Sequence, residues 1–94
     1  MTNHPNRAKD SAIKLDGLDN YHKPRQDFAD YLASLDDKEF VKEAETAIWL
    51  SAYANNNPRS DYHWQADACY DEAARREKPE LYIQAHEQAV RSAS

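Results

Sequence analysis

Apolar and small residues recur with a helical period along most of this chain, most clearly between residues 36 and 55, DDKEFVKEAETAIWLSAYAN. Phe40, Val41, Ala44, Ala47, Ile48, Ser51 and Ala52 fall at the i, i+1, i+4, i+7, i+8 positions of one helix face. At about 100° per residue, Trp49 and Tyr53 lie on the opposite side, one turn apart. The second half of this helix is therefore apolar nearly all round. Such a helix either sits centrally in a bundle or leaves an aromatic patch for a partner.

The start of this helix is sharply specified. Asp36 is placed to cap it, Glu39 to reach back and complete a capping box, and Leu35 and Phe40 to form a hydrophobic staple. Ahead of it, Pro24 suits the first position of a helix over 24–35, with Phe28, Tyr31, Leu32 and Leu35 as its buried stripe and Asp27 and Asp30 facing water. Behind it, the run Asn55-Asn56-Asn57-Pro58 stops the central helix, because asparagine tolerates left-handed geometry and proline cannot continue a helix. Ser60 then caps a third helix over 61–77, which aligns Tyr62, Ala66, Cys69, Tyr70 and Ala73 on one face and Trp64, Asp67, Asp71 and Arg75 on the other. After a break at Lys78-Pro79, a fourth helix over 79–92 carries Leu81, Tyr82, Ala85, Ala89, Ile83 and Val90 on a wide apolar face.

Residues 11–23 are ambiguous in pattern: Asp16-Gly17 fits the turn of a short hairpin, and an extended arm laying Ile13, Leu15 and Leu18 on the helices fits equally well. Residues 1–10 are polar and aperiodic, the pattern of a mobile tail. The expected fold is all-α: a compact bundle of about four helices over a single domain of residues 11–94, with the N-terminal arm packed on it.

Composition adds limits. The single Cys69 excludes an intramolecular disulfide and suits a reducing compartment. No apolar run approaches the roughly 18 residues that span a bilayer, and the first ten residues lack the apolar core of a secretory signal, so a cytoplasmic protein is expected. The net charge of −5 is concentrated in the middle: residues 1–25 carry +2, residues 26–73 carry −8 and residues 74–94 carry +1. Such a middle repels nucleic acid and favours basic partners.

Candidate chemistry is sparse. His63, Asp67 and Asp71 share a helix edge, but they spread over two turns with nothing to complete a metal site. His86 falls between Tyr82 and Val90, where a packed histidine is expected, and Cys69 on a core stripe is expected to be inert. One glycine in the whole chain leaves no phosphate-binding loop, and no zinc-ribbon pattern or basic recognition face is present. No cofactor and no metal are expected, and an enzyme is the least favoured class.

Trp49, Tyr53 and Trp64 are the most informative side chains. If the second and third helices form an antiparallel hairpin, all three gather at its loop end, rimmed by Asp67 and Asp71, as an anchor for a partner's apolar or basic groups. The expected function is a small acidic interaction protein that binds, and in a stronger version inhibits, a larger protein, including one whose basic nucleic-acid-binding surface it would block by mimicry. Direct binding to nucleic acid or membrane is not expected. The alternative is a self-associating structural or assembly component with the aromatic patch as a homodimer interface. In size, acidity and lack of catalytic motifs the chain resembles the small accessory proteins of bacteriophages. Because Asp36 carries the cap, Asp36→Ala should lower stability by about 1 kcal/mol, read as a reduced urea midpoint with an unchanged slope.

Overall fold

The computed structural model describes residues 12–93, and these form four helices with no strand among them. Helix α1 spans Arg25–Ser34, α2 spans Asp37–Tyr53, α3 spans Asp61–Arg75 and α4 spans Pro79–Ala93. The boundaries follow the local chemistry. At the start of α2, Asp36 Oδ1 accepts the Glu39 N–H at 2.7 Å, and Glu39 Oε1 accepts the Asp36 N–H at 3.1 Å. The expected capping box is complete. Ser60 Oγ accepts the Tyr62 N–H at 3.2 Å and opens α3. Helix α3 ends in a Schellman motif, with Lys78 N–H donating to Ala73 O and Glu77 N–H to Ala74 O. Glu77 takes the left-handed position there, at φ 59°. Pro24 sits one place earlier than expected, as the residue before α1 rather than its first helical residue.

Helices α2 and α3 form an antiparallel hairpin, pinned near the loop by Ser51 and His63 and at the far end by Asp37 and Arg76. Helix α4 lies on α2 running the same way: Leu81 adjoins Val41, and Ser92 reaches Glu45. Helix α1 packs on α3. Leu32, Phe40, Val41, Ala44, Ala47, Ala68, Cys69, Ala73 and Ala85 make one core, with Leu35, Phe28 and Ile48 packed against it. Alanines dominate this core, so the helix axes can approach closely, and Phe40 and Leu32 supply the bulk.

The arm resolves in favour of the extended alternative. Residues 12–16 have no regular structure, and Gln26 clamps them: its Nε2 donates to Ile13 O at 2.8 Å and its Oε1 accepts the Leu15 N–H at 2.9 Å. The chain reverses at residues 19–22, not at Asp16-Gly17. Asp19 causes this by accepting the backbone N–H groups of Tyr21 and Lys23, at 2.8 and 2.9 Å. A lone antiparallel bridge between Leu18 and Pro24 is what remains of the hairpin. The mobile tail expected over 1–10 lies outside the described residues.

One polar cluster ties three helices together. Glu72, on α3, is fully buried. Its carboxylate accepts Arg75 Nε at 2.8 Å and Nη2 at 2.7 Å, and Arg76 Nε at 2.7 Å. Arg76 then donates to Asp37 Oδ1 of α2 and to the carbonyls of Leu32 and Leu35, each at 2.8 Å. Its guanidinium also lies 4.6 Å from the Phe40 ring centroid. The carbonyls at the end of α1 are thereby satisfied by the side chain of Arg76, the C-cap residue of α3. Hydrogen bonds from Lys78 and then Arg76 hold the Asp37 carboxyl below its ordinary range. Breaking a buried, hydrogen-bonded ion pair typically costs about 3–5 kcal/mol. Arg76→Ala should therefore destabilise the fold by roughly 3 kcal/mol, several times the cost of losing the Asp36 cap. Equilibrium denaturation of the two variants side by side would check that order.

Candidate functional site

The aromatic side chains singled out by the sequence fall in two places. Trp49 and Tyr53 stack on each other with ring centroids 5.3 Å apart and planes 9° from parallel. Tyr53 is 78% exposed, while Trp49 is half-buried. Trp64 is elsewhere. Its ring meets Phe28 of α1 edge-on at 5.6 Å, its Nε1 donates to Asp61 Oδ1 at 2.9 Å, and the Arg25 guanidinium lies 4.8 Å from its centroid. Among the described residues no ring pair joins Trp64 to Trp49 or Tyr53. Helical geometry explains the separation. Near the loop Ser51 of α2 faces α3, bonding His63 Nδ1 at 2.8 Å. Trp49 lies about 200° round the helix from it. Trp64 therefore locks α1 onto α3, and the three-aromatic gathering expected at the hairpin loop does not form.

Instead, Trp49 and Tyr53 border an apolar groove of about 460 Å³ at the C-terminal ends of α2 and α4. Ile48 and Ala52 line it from α2, and His86 and Ala89 from α4. From His86 the aromatic surface continues across the molecule. His86 lies 6.4 Å from Tyr82, and Tyr82 meets Tyr70 of α3 edge-on at 5.2 Å. Ile83, 56% exposed, projects beside it from α4. The result is a belt across α2, α4 and α3 that includes Trp49, Tyr53, His86, Tyr82, Tyr70 and Ile83.

Several members of the belt are departures from the sequence pattern. Ile83 and Val90 were expected on the buried face of the fourth helix, yet both are more than half exposed. Ala85 and Ala89 are the buried residues of α4, and Ile83 points about 160° away from Ala85. Tyr62 and Tyr70, aligned with the α3 core stripe by sequence, are 40% and 59% exposed. Buried Ala68 and Glu72 rotate that stripe away from them. His86, expected to be packed, is exposed.

The two acidic candidates keep their surface positions. Asp67 and Asp71 are exposed on α3. Asp67 is close enough to Tyr82 to act on it: burial first, then Cys69, Asp67 and Tyr70, push the phenol above its ordinary value. Asp67 thus rims the tyrosine end of the belt rather than Trp64. His63 is drawn away from these acids, with Nε2 against Asn57 O at 2.9 Å and Nδ1 against Ser51 Oγ. A carbonyl only accepts, so Nε2 carries the proton and the Ser51 hydroxyl donates to Nδ1 in the neutral ring. Among the described residues no group of three or more His, Cys, Asp or Glu could hold a metal ion. No described helix is long and apolar enough to cross a membrane.

No family model matches the chain, and neither a curated protein nor a solved structure matches it.

Cys69 lies fully buried in the core, and burial, followed by Glu43 and Glu72, pushes its thiol up to about 12. A thiol raised that far carries almost no thiolate at pH 8. A disulfide reagent should leave the folded protein unmodified at that pH and titrate one thiol after denaturation. Fast labelling of the native chain would contradict this placement.

Proposed function

We propose that this chain is a protein–protein interaction module, which docks a larger protein on the belt running from Trp49 and Tyr53 to Tyr70. The observation that carries this reading is the stacked Trp49–Tyr53 pair at the mouth of an apolar groove, with Tyr53 78% exposed. A rigid, amphipathic aromatic anchor beside an apolar cleft is the arrangement found at the energetic centre of many protein interfaces. Trp49 is half-buried already, so little further ordering opposes binding.

The acidic middle contributes less than its charge suggests. Asp36 and Glu39 form the capping box, Asp37 pairs with Arg76, Glu43 accepts the Tyr31 hydroxyl, Asp61 holds Asn20 and Trp64, and Glu72 is buried between two arginines. Those six carboxylates serve the fold. Of the other five acids of this stretch, Asp27, Asp30, Glu45, Asp67 and Asp71, the last two lie on α3 beside Tyr70, where they would orient a basic group of the partner. This favours apolar docking over imitation of a phosphate backbone, which needs a row of outward charges. The proposed setting is the cytoplasm.

The test is capture from a lysate of the source organism with wild type, Tyr53→Asp and Asp67→Lys/Asp71→Lys. A specific partner should be lost with Tyr53→Asp and weakened a few-fold by the charge reversal, with only a shallow dependence on salt. Capture indifferent to Tyr53→Asp sinks the reading, and a steep loss with salt would favour mimicry instead. Trp64→Ala is unsuitable as a binding probe, because it removes the contact between α1 and α3.

A further inference from the structure

We infer that, in the absence of a larger partner, the belt is covered by a second copy of this chain, seated antiparallel along α4. The inference rests on the docking reading, since it assigns an occupant to the same surface.

Three observations point to a second copy. The first is area. Tyr53, Tyr70, Ile83 and Val90 are 78%, 59%, 56% and 54% exposed. At about 150–200 Å² for a fully open side chain of this size, they leave roughly 400–500 Å² of side-chain surface in water. That is the size of the largest apolar patch on a typical monomer, which is often a functional surface. A stable contact buries about 800 Å² per partner, of which roughly 65% is apolar in homodimers. The belt supplies close to that apolar share, leaving a polar rim to make up the rest.

The second is charge. The molecule carries −5, yet none of the side chains named in the belt is Asp, Glu, Lys or Arg, and the nearest acids, Asp67 and Glu87, stand at its edges. A strongly basic surface would find no counter-charge at its centre. An uncharged apolar surface is matched by another of its kind, and an identical copy provides one. Overall repulsion is a weak obstacle, because screening at physiological salt acts over about 8 Å.

The third is the polarity of α4. Ile83 faces outward, flanked on one side by Glu80 near the start of the helix, Glu87 past its middle and Arg91 near its end. In a two-fold antiparallel pairing the same flank meets itself reversed, so each Arg91 approaches the other copy's Glu80. Parallel seating would set like charges together. The molecule measures 46 × 31 × 16 Å, thin enough for about two helix layers.

The experiment is sedimentation velocity of the full chain from about 1 to about 500 µM. The expected result is a reversible monomer–dimer exchange with a dissociation constant on the order of 10–100 µM, changed little by salt, which screens both the net repulsion and the Glu80–Arg91 pairs. Tyr53→Asp and Ile83→Asp should each weaken it at least about tenfold. Both positions are more than half exposed, so helical circular dichroism should be unchanged. Glu80→Arg should weaken the dimer a few-fold, and Glu80→Arg/Arg91→Glu should restore it. A wild-type chain that stays monomeric throughout overturns the inference and leaves the docking of a foreign protein to the capture experiment. A dimer untouched by both Asp substitutions also overturns it, because its interface then lies off the belt. Failure of the charge swap to restore pairing overturns the antiparallel seating.

Discussion

The Glu72–Arg76 contact is the constraint on which the arrangement of this chain depends. A carboxylate with no solvent exposure is tolerated only because two arginines meet it, and Arg76 is held in place only because it has further acceptors. Those acceptors are the last carbonyls of α1 and the first-turn carboxylate of α2. One side chain therefore fixes the angle between α1 and α2 and the register of α3 against both. The Phe40 ring beneath the guanidinium joins this polar junction to the hydrophobic core. Hydrophobic burial is nearly indifferent to small rotations of a helix, whereas a hydrogen-bonded ion pair is not.

That orientation decides which surfaces stay open. With Cys69, Glu72 and Ala73 turned inward, Tyr70 is turned outward on α3. Tyr82 and His86 of α4 extend its aromatic surface, and the groove joins it to Trp49 and Tyr53. The belt is thus a consequence of the internal polar junction. The same economy of alanines that lets the helices pack closely leaves Tyr53, Tyr62 and Tyr70 without room inside. They are displaced to the surface, where their area becomes available for binding.

The sequence defined the helices well because their ends are set by neighbours along the chain. Asp36 and Glu39 form the expected box, Ser60 caps α3, and the asparagine run and Lys78-Pro79 interrupt the chain where expected. The arm was harder to read. Asp16-Gly17 resembles a hairpin turn, but the stronger local acceptor is Asp19, and the hydrogen bonds from Gln26 that hold Ile13 and Leu15 come from another element. Trp49 and Tyr53 were placed correctly on the face of α2 away from the core stripe. Their separation from Trp64 depends on which residue of α2 meets α3, and Ser51 gives no sign of that in the pattern.

By itself, then, the sequence determined an all-α chain of four helices, their boundaries, and a central helix with aromatic residues on its second face. Capping geometry, proline stereochemistry and the 3.6-residue period are local, and each is written in a few adjacent residues. Only the tertiary structure decided the rotation of α3 and α4 about their axes. That rotation buried Glu72, exposed Tyr70, Ile83 and His86, and sent Trp64 to α1. An apolar stripe interrupted by a glutamate reads as a surface edge until a partner for its charge is known. Here the partners are two arginines from the same helix, and Arg76 carries the link onward to residues 32–37, about forty positions away in the chain.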